Sequence, residues 1–597
     1  MTGSRKGNVF LIAMWIVVGS IYVWAAWQQK QRINLSAAAG GQMPYLVYAQ
    51  GVSHDGLAKH FGDRNRMPLI PSLLSFVYDE DFDTFVNRSS LFAIAGSAMI
   101  LMGIGFLAYR HLPPWLATVL TLTATFCVFL PKASFLQAEL AYYGLLLTAW
   151  LLMCRLLRRR SVWLAITAGV TLGVAFLAKA SALGALIAFV ATAVLQAACQ
   201  FFRPARQDAS GTDRPSQSTG WKTLRDTGLL VIGFLLVAGP YLAANKSRFD
   251  RYFYNVNSTF FLWCDSWAQA RAFAVANPIA EKYPQVPPDQ IPGPGNYWRS
   301  HTASHMLKRL TYGVTTLAAL AMHGSYAKYL ALVSGFCLVL AVRRRRTREN
   351  ILSGYGFVVL FCLLFFGGYA LSYAWYAQVA YGDRFVLSLL LPALFGGLWL
   401  ADRLAADLQP FPLFGRRFPV MKVLATTLSV LLMAEGVALA SGLLYRPSRA
   451  FVQFYYNESR ELQKAGNIAE AAKGYRGVVT LDPAFAPAYH DLGMMELVSG
   501  RVAAAIAHLA EAVRLAPEKA DLRNSYASAL LQDGRYEEAR GAFGEAVRLD
   551  PQLAVAWYNL GGTCHQLSMK KEAAGALSRL RALDARLAEQ LARLIER

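Results

Sequence analysis

The chain has 597 residues, of which 55% are hydrophobic and only 16% are charged, and its mean hydropathy is +0.31. A soluble chain of this length would divide into several domains with far more charge on their surfaces, so the composition excludes an ordinary soluble protein. The net charge of +22 would suggest nucleic-acid binding in a soluble protein. Here the basic residues cluster between apolar runs, which favours topology determinants and contacts with anionic lipid over nucleic-acid binding.

Apolar runs long enough to cross a bilayer recur from residue 9 to about residue 445. The run at 9–27 has a basic start but no small-residue cleavage site, so we interpret it as a retained first span rather than a signal peptide. We predict about eleven spans: 9–27, 89–108, 113–131, 139–157, 162–178, 181–199, 227–245, 325–342, 352–372, 385–402 and 420–444. The sequence therefore predicts an all-α chain, with a polytopic membrane domain at 1–445 and a soluble helical domain at 446–597.

Dense basic clusters occupy alternate connections between these spans, for example RRRRTR at 343–348. Such clusters mark the cytoplasmic side. The long segments 28–88 and 246–324 and the C-terminal domain fall on the other side. With a cytoplasmic N-terminus and eleven spans, the sequence predicts a protein of the bacterial inner membrane whose C-terminal domain is periplasmic. One span more or fewer would reverse the side of that domain.

The C-terminal domain repeats with a period of 34 residues. The recurring positions are Pro483, Pro517 and Pro551; Gly466, Gly500 and Gly534, followed by Ser568; and Ala471, Ala505, Ala539 and Ala573. Proline ends each unit because it cannot continue a helix, and glycine tolerates the positive φ of a tight turn. This pattern is that of tetratricopeptide repeats, and it predicts four units at 452–485, 486–519, 520–553 and 554–587 with a trailing helix as a cap. Stacked units form an α-solenoid whose concave face binds a protein or an extended peptide, although a rigid spacer or a self-association surface stays open.

Charged residues also lie at the predicted extracytoplasmic ends of the membrane spans. They are Arg88, Glu139, Lys179 and Arg384, and the first loop adds the stretch GDRNRMPLIP at 62–71. Charges at bilayer depth are costly and usually functional. All of them fall on one side of the membrane in the predicted topology, so we expect them to converge on one site under the long loops.

This arrangement resembles the GT-C superfamily of integral-membrane glycosyltransferases over about residues 9–400, and most closely the protein O-mannosyltransferases and aminoarabinose transferases. The residues that carry the resemblance are Pro68 and Leu69, Arg88, Glu139, and Gly169, Gly173 and Lys179 in a GxxxGxAFLxK-like run. A membrane half of this kind joined to repeats also resembles the transmembrane O-mannosyltransferases that carry tetratricopeptide repeats.

The resemblance implies an inverting transfer of a sugar from a polyprenyl-phosphate donor to an extracytoplasmic acceptor, with a first-loop aspartate as base and basic residues on the lipid phosphate. The resemblance is also compatible with a divalent metal ion as cofactor. We assign no residue to bind such an ion. We assign catalytic roles to Asp63, Glu139 and Asp55, and donor-phosphate binding to Arg64, Arg66, Arg88, Lys179 and Arg384. Each has a structural alternative, such as an interfacial anchor, an ion pair or a favourable charge at a helix end.

One departure from the family pattern concerns the acid expected before Tyr45, where this chain has Gly41 and Gln42. Either the base has moved to Asp55 or Asp63, or catalysis is lost. In the second case the chain is a degenerate, membrane-anchored scaffold for envelope assembly. A transporter or a polysaccharide polymerase-like protein ranks third because no two halves of the sequence match.

The loop 246–324 is rich in aromatic residues, which suits either a lid that stacks on sugar or an interfacial aromatic belt. His301 and His305 are four residues apart, a spacing that predicts one helical face. No third ligand accompanies them, so we predict no zinc site.

Overall fold

The computed structural model of the chain describes residues 5–36, 42–60, 67–202, 216–255, 259–276, 290–323, 327–379, 383–406, 408–413, 416–441 and 449–596. The predicted all-α class is confirmed there, with one exception: a short antiparallel hairpin that pairs β1, Phe411–Leu413, with β2, Arg416–Phe418. The chain divides into two compact units. The first comprises Met1–Trp27 and Pro44–Leu444, and the second comprises Gln28–Met43 and Tyr445–Arg597.

The helices up to residue 440 differ widely in length. They are α1 Arg5–Arg32, α2 Met43–Asp55, α3 Leu57–His60, α4 Leu69–Leu74, α5 Phe82–His111, α6 Pro114–Leu122, α7 Glu139–Leu156, α8 Val162–Ala178, α9 Leu183–Phe201, α10 Ser216–Phe249, α11 Trp267–Ala276, α12 Pro294–Ser300, α13 Ala303–His323, α14 Ala327–Arg343, α15 Arg345–Tyr376, α16 Asp383–Leu404 and α17 Val420–Ala440. Shorter 3₁₀ turns at Ala180–Ala182 and Phe261–Trp263 lie beside the polar clusters described below.

Eight helical segments in the described part of the chain are long and apolar enough to cross a membrane. They are Phe82–His111, Pro114–Lys132, Glu139–Leu156, Ala180–Phe201, Thr219–Phe249, Arg345–Tyr376, Val386–Leu404 and Val420–Leu439. Each coincides with a predicted span. The other three predicted spans fall on α1, α8 and α14, of which α8 and α14 have 17 residues each. The count of eleven, and the topology that depends on it, stay predictions.

Close packing of α8 on α10 depends on small residues. A Cβ added to Gly169 would lie 2.0 Å from the carbonyl oxygen of Leu230, and one added to Gly173 would lie 3.0 Å from that of Phe234. On the opposite helix, a Cβ on Gly233 would lie 2.8 Å from the carbonyl oxygen of Ile166. Glycines four residues apart let two apolar helices approach backbone to backbone. Helix packing therefore explains the spacing of Gly169 and Gly173, which we read above as part of a family motif.

The second unit contains four consecutive helix pairs and a final helix. They are α18 Arg449–Lys464 and α19 Ile468–Leu481, α20 Ala486–Val498 and α21 Val502–Leu515, α22 Ala520–Gln532 and α23 Tyr536–Leu549, α24 Ala554–Gln566 and α25 Lys570–Leu583, and α26 Ala585–Glu596. The last helix covers the fourth pair with Ala588 and Leu591, which are buried against Leu580 and Trp557. It therefore closes the apolar end of the array.

The turn inside each helix pair has the same geometry. Gly466, Gly500 and Gly534 have φ of +81°, +75° and +78°, and Ser568 has φ of +62° at the fourth turn. In the first pair the next amide, that of Asn467, donates to the Leu462 carbonyl at 2.9 Å, which is the long bond of a Schellman motif. The prediction that these positions need positive φ is confirmed. Ser568 adopts it despite the usual cost of about 1 kcal/mol for a residue with a Cβ.

Candidate functional site

An open cleft of about 470 Å³ lies at α2 and α3 beside the C-terminal part of α10. It is lined by Asp55, Ala58, Lys59, His60, Ala244, Ser247 and Arg248, and we call it the Asp55 cleft. Gly56, between α2 and α3, has φ of +81°, which lets the chain change direction sharply there. The cleft thus places one carboxylate among three basic side chains.

The groups around Asp55 are fixed by short contacts. The Oδ2 atom of Asp55 lies 3.3 Å from Nε2 of His60, and its Oδ1 atom lies 3.9 Å from Nζ of Lys59. The buried Tyr48 hydroxyl donates a 2.7 Å hydrogen bond to the carbonyl oxygen of His60, and Nη2 of Arg248 donates to that of Lys59 at 3.4 Å. The Asp55 side chain is 53% exposed, so a ligand in the cleft can reach it.

A second polar contact joins two predicted site residues. Glu139 is the first residue of α7, and Lys179 directly follows α8. The Lys179 Nζ atom lies 3.3 Å from Glu139 Oε1, and their side chains are only 23% and 9% exposed. The structure therefore brings Glu139 and Lys179 together, as expected for residues at span ends on one side of the membrane.

The strength of this pair can be measured by a double-mutant cycle. We expect Lys179→Met to destabilise the protein more than the Glu139→Gln/Lys179→Met double variant does, because the single variant removes the ammonium that lies 3.3 Å from a nearly buried carboxylate and keeps the carboxylate charged. The coupling energy should be about 1–2 kcal/mol, measured by SDS-induced unfolding in mixed micelles. A coupling energy near zero would mean that solvent or lipid screens the pair.

A cluster of hydroxyl groups that was not predicted from the sequence lies beside Glu139 and Lys179. The Lys179 ammonium is 5.6 Å from the ring centroid of Tyr142, whose hydroxyl accepts from Ser181 Oγ at 3.0 Å. The hydroxyl of Tyr369, 227 residues away in the chain, donates to the Ser181 carbonyl oxygen at 2.7 Å and lies 3.5 Å from the Tyr142 hydroxyl. The sequence signal was available as AYYGLL in α7, where tyrosines interrupt an apolar run.

Two further predicted phosphate ligands are Arg88 and Arg384. Arg88, in α5, has Nη1 2.8 Å from Asp79 Oδ2 and is 55% exposed, so the structure pairs it with an acid of its own loop. Arg384 is the second residue of α16, and its side chain lies outside the described part of the chain.

The remaining predicted residues of the first loop are Asp63, Arg64 and Arg66. They lie outside the described residues, so their catalytic and phosphate-binding roles stay predictions. Asp63 follows the cleft residue His60 by three positions in the sequence. It therefore remains the alternative base to Asp55.

A third polar cluster lies in the loop 246–324 and centres on Asp265. Its Oδ1 atom accepts from the Tyr297 hydroxyl at 3.0 Å, and its Oδ2 atom is 3.0 Å from Nε2 of His301. Burial raises the pKa of the Tyr297 hydroxyl, which keeps it a donor. The guanidinium of Arg309 completes the cluster, with Nη1 3.6 Å from Asp265 Oδ1.

The prediction that His301 and His305 share one helical face is wrong. The helix α12 ends at Ser300 and α13 begins at Ala303, so His301 lies between them in extended backbone, with φ of −122° and ψ of 140°. Its ring stacks on Tyr297 at a centroid distance of 3.9 Å. The sequence spacing did not reveal the break because TAS at 302–304 carries no proline or glycine.

No group of three His, Cys, Asp or Glu side chains that could hold a metal ion occurs among the residues that the structure describes. The residues of the Asp55 cleft include a single carboxylate and one imidazole, which is a poor donor set for a divalent cation. A metal therefore does not fit the described cleft, and no chemical step below depends on one.

Gln42, at the position where the resembled family has an acid, is fully buried in the second unit. Its Nε2 atom donates to Asn34 Oδ1 at 2.5 Å and to the Ser36 carbonyl oxygen at 2.8 Å. A neutral, buried amide with these partners cannot accept a proton from a substrate. If the chain is catalytic, its base lies elsewhere.

The first helices of the repeats are joined by polar side chains. Each bond spans 35 residues: Tyr456 Oη to Asp491 Oδ2 at 2.8 Å, His490 Nε2 to Ser525 Oγ at 2.9 Å, and Asn559 Nδ2 to Asn524 Oδ1 at 3.0 Å. The same step therefore links each repeat to the next. It fixes the spacing of the first helices and leaves half-buried polar groups along them.

A sequence profile of the tetratricopeptide repeat family matches residues 456–520 and 526–588. The C-terminal region thus contains tetratricopeptide repeats, as predicted. No curated protein is significantly similar to this chain. None of these comparisons supports the resemblance of residues 9–400 to GT-C transferases, which stays a prediction.

Three solved structures illustrate the similarity to known folds. YrrB, described as a TPR protein with an unusual peptide-binding site, is 22% identical over 22% of this chain and 68% of its own, with a TM-score of 0.21. MamA is 20% identical over 23% of this chain and 81% of its own, with a TM-score of 0.22. An O-GlcNAc transferase mutant from Thermobaculum terrenum is 20% identical over 23% of this chain and 27% of its own, with a TM-score of 0.22.

Proposed function

We propose that this chain is a membrane glycosyltransferase that moves a sugar from a polyprenyl-phosphate donor to an extracytoplasmic acceptor, and that its repeats bind the acceptor or a partner protein. The observation that carries the proposal is the Asp55 cleft, where a half-exposed carboxylate lies among Lys59, His60 and Arg248. The tetratricopeptide repeats independently support the binding of a protein or peptide.

The proposed reaction needs a base and a group of cations, and the cleft contains both. Asp55 takes the proton from the acceptor hydroxyl while the hydroxyl oxygen bonds to the anomeric carbon of the sugar. The bond from that carbon to the phosphate oxygen breaks, and the phosphate leaves with the electron pair. Lys59 and Arg248 stabilise the negative charge that develops on the leaving phosphate.

The proposed location follows from the predicted topology. The lipid tail of the donor stays in the bilayer, so the reacting groups must meet near the membrane surface. We place the cleft and the repeats on the extracytoplasmic side of a bacterial inner membrane, opposite the Arg-rich connections such as 343–348.

The test is a transfer assay with purified protein in lipid and a radiolabelled polyprenyl-phosphate sugar. We expect Asp55→Asn to lower turnover by about 100-fold or more, because the amide cannot accept the proton. Glu80→Gln is the matched control, since it removes one exposed carboxylate from the same loop and should leave turnover unchanged.

Two results would change the assignment of the base. Turnover of Asp55→Asn within twofold of the parent, combined with loss in Asp63→Asn, would move the base into the stretch 62–71. Turnover that survives in both variants would remove the first-loop acids from the proposed mechanism.

The buried amide of Gln42 favours a second candidate function, a membrane-anchored scaffold whose transferase half has lost its chemistry. In that case the parent protein would show no turnover with any lipid-linked sugar tested. It would still retain a specific protein partner, identified by pull-down with the full chain and lost when the half-buried polar groups Asn524 and Asn559 are both replaced by alanine.

A further inference from the structure

The stretch Gln28–Met43, which follows the first predicted span, belongs to the second unit, together with the repeats. We call it the post-span segment. We infer that the repeat array holds this segment as part of its own fold, and that it thereby positions the start of the helix that carries Asp55. That the array holds the segment concerns structure alone. The consequence for Asp55 as a catalytic group rests on the proposed function.

The segment touches both helices of the first repeat through its backbone. The hydroxyl of Tyr455, in α18, is fully buried and donates to the Ile33 carbonyl oxygen at 3.0 Å. On α19, a Cβ added to Gly477 would lie 2.8 Å from the same Ile33 carbonyl oxygen and 2.5 Å from Tyr455 Oη. The segment therefore lies so close to α19 that no side chain fits between them.

Buried polar groups then join the two described parts of the segment, which lie on either side of residues 37–41. Asn34, Ser36 and Gln42 are each no more than 1% exposed. Asn34 and Gln42 exchange two side-chain hydrogen bonds, from Gln42 Nε2 to Asn34 Oδ1 at 2.5 Å and from Asn34 Nδ2 to Gln42 Oε1 at 3.2 Å. Buried amides that satisfy one another in this way are costly to separate, so Gln42 is anchored to the part of the segment that touches the repeats.

The chain leaves this anchor directly into α2. That helix begins at Met43, one residue after Gln42, and ends at Asp55. Any rearrangement of the first repeat that moves Ile33 or Gln42 must therefore pull on the first turn of α2. A partner that changes the packing of α18 against α19 would in this way act on the position of Asp55, which makes the array a regulator of the cleft rather than a passive tether.

Hydrogen–deuterium exchange on the full chain in lipid nanodiscs tests the coupling. In Gly477→Ala the new methyl group must displace Ile33 or Tyr455, so we expect exchange in residues 30–36 and in α2 to accelerate together by about 10-fold or more, with α20–α25 unchanged. Gly544→Ala is the matched control, because a Cβ on this helical glycine meets no atom within 4 Å, and its exchange should equal that of the parent.

A second variant, Gln42→Ala, removes the anchor and leaves every residue of the repeats unchanged in sequence, and the same joint acceleration of 30–36 and α2 is expected. Two results would overturn the inference. One is faster exchange in residues 30–36 of both variants without any change in the exchange of α2. The other is exchange in residues 30–36 that equals that of the parent. Because the readout is exchange, a parent protein without transferase activity would refute the proposed function and leave this result intact.

Discussion

Replacing Arg309 by alanine should destabilise the first unit by about 3–5 kcal/mol, because a buried guanidinium donates two hydrogen bonds and each hydrogen bond to a charged group contributes about 1.5–3 kcal/mol. The Arg309 side chain is 1% exposed. Its Nε donates to the Trp375 carbonyl oxygen at 2.8 Å, and its Nη2 donates to the Leu262 carbonyl oxygen at 2.9 Å. Alanine would leave both carbonyls without this donor and Asp265 without its cation.

The aromatic rings around this guanidinium add to the expected loss. The Arg309 Cζ atom lies 4.6 Å from the ring centroid of Trp375 and 5.0 Å from that of Tyr297. A cation over an aromatic face contributes up to about 2 kcal/mol when it is desolvated. Because Trp263 and Trp375 both lie in this cluster, with centroids 6.0 Å apart, tryptophan fluorescence in detergent should follow its unfolding.

The control for Arg309 is Arg299→Ala. Arg299 is exposed and makes a single local hydrogen bond to the Gly295 carbonyl, so its loss should stay within about 0.5 kcal/mol. The loss of stability in Arg309→Lys should lie between the losses in Arg309→Ala and Arg299→Ala. One lysine ammonium cannot replace a planar guanidinium whose separate nitrogens reach two carbonyls. Equal midpoints of thermal unfolding for Arg309→Ala and Arg299→Ala would show that the Arg309 side chain does not stabilise the loop 246–324.

Gly169→Ala should cost about 3 kcal/mol or more, the upper end for overpacking in a close-packed interior. The added Cβ would lie 2.0 Å from the Leu230 carbonyl oxygen, and a backbone atom cannot move away as a side chain can. The helices α8 and α10 must then separate, and a gap of about 0.5–1 Å already forfeits a quarter to a half of the dispersion energy at each contact.

Folding yield in lipid and SDS-induced unfolding measure this loss. Gly228→Ala, on α10, is the matched control, because a Cβ there meets no atom within 4 Å and alanine is the better helix former. Stability of Gly169→Ala equal to that of Gly228→Ala would contradict the close approach of the two helices.

The repeat array could be predicted from the sequence in detail because its determinants are local and recur. Gly466 and Gly500 occupy turns that need positive φ, and Pro483 marks the end of a unit. Contacts between neighbouring repeats place the same residue types at the same interval, so a period of 34 residues in the chain is also a period in space.

The candidate site was predictable only where helix ends supplied the geometry. Glu139 and Lys179 were expected on one side because each lies at the end of a predicted span, and the structure brings them 3.3 Å apart. Arg88 was assigned by the same reasoning, and the structure pairs it with Asp79, nine residues before it, while its phosphate-binding role stays a prediction. The position of a residue at a span end limits its depth in the membrane, but it does not determine which side chain pairs with it.

Tertiary structure alone decided which polar residues are buried together. The sequence does not single out Arg309, because Leu262 and Trp375, which accept its hydrogen bonds, are 47 and 66 residues away in the chain. Gln42 looked like a lost catalytic acid, and its hydrogen-bonded burial became visible only in the folded unit. The helical class, the apolar segments and the repeats follow from the sequence, because hydrophobic periodicity and turn chemistry act between near neighbours. Burial of a particular charge or amide depends on donors and acceptors that only folding brings within hydrogen-bonding distance.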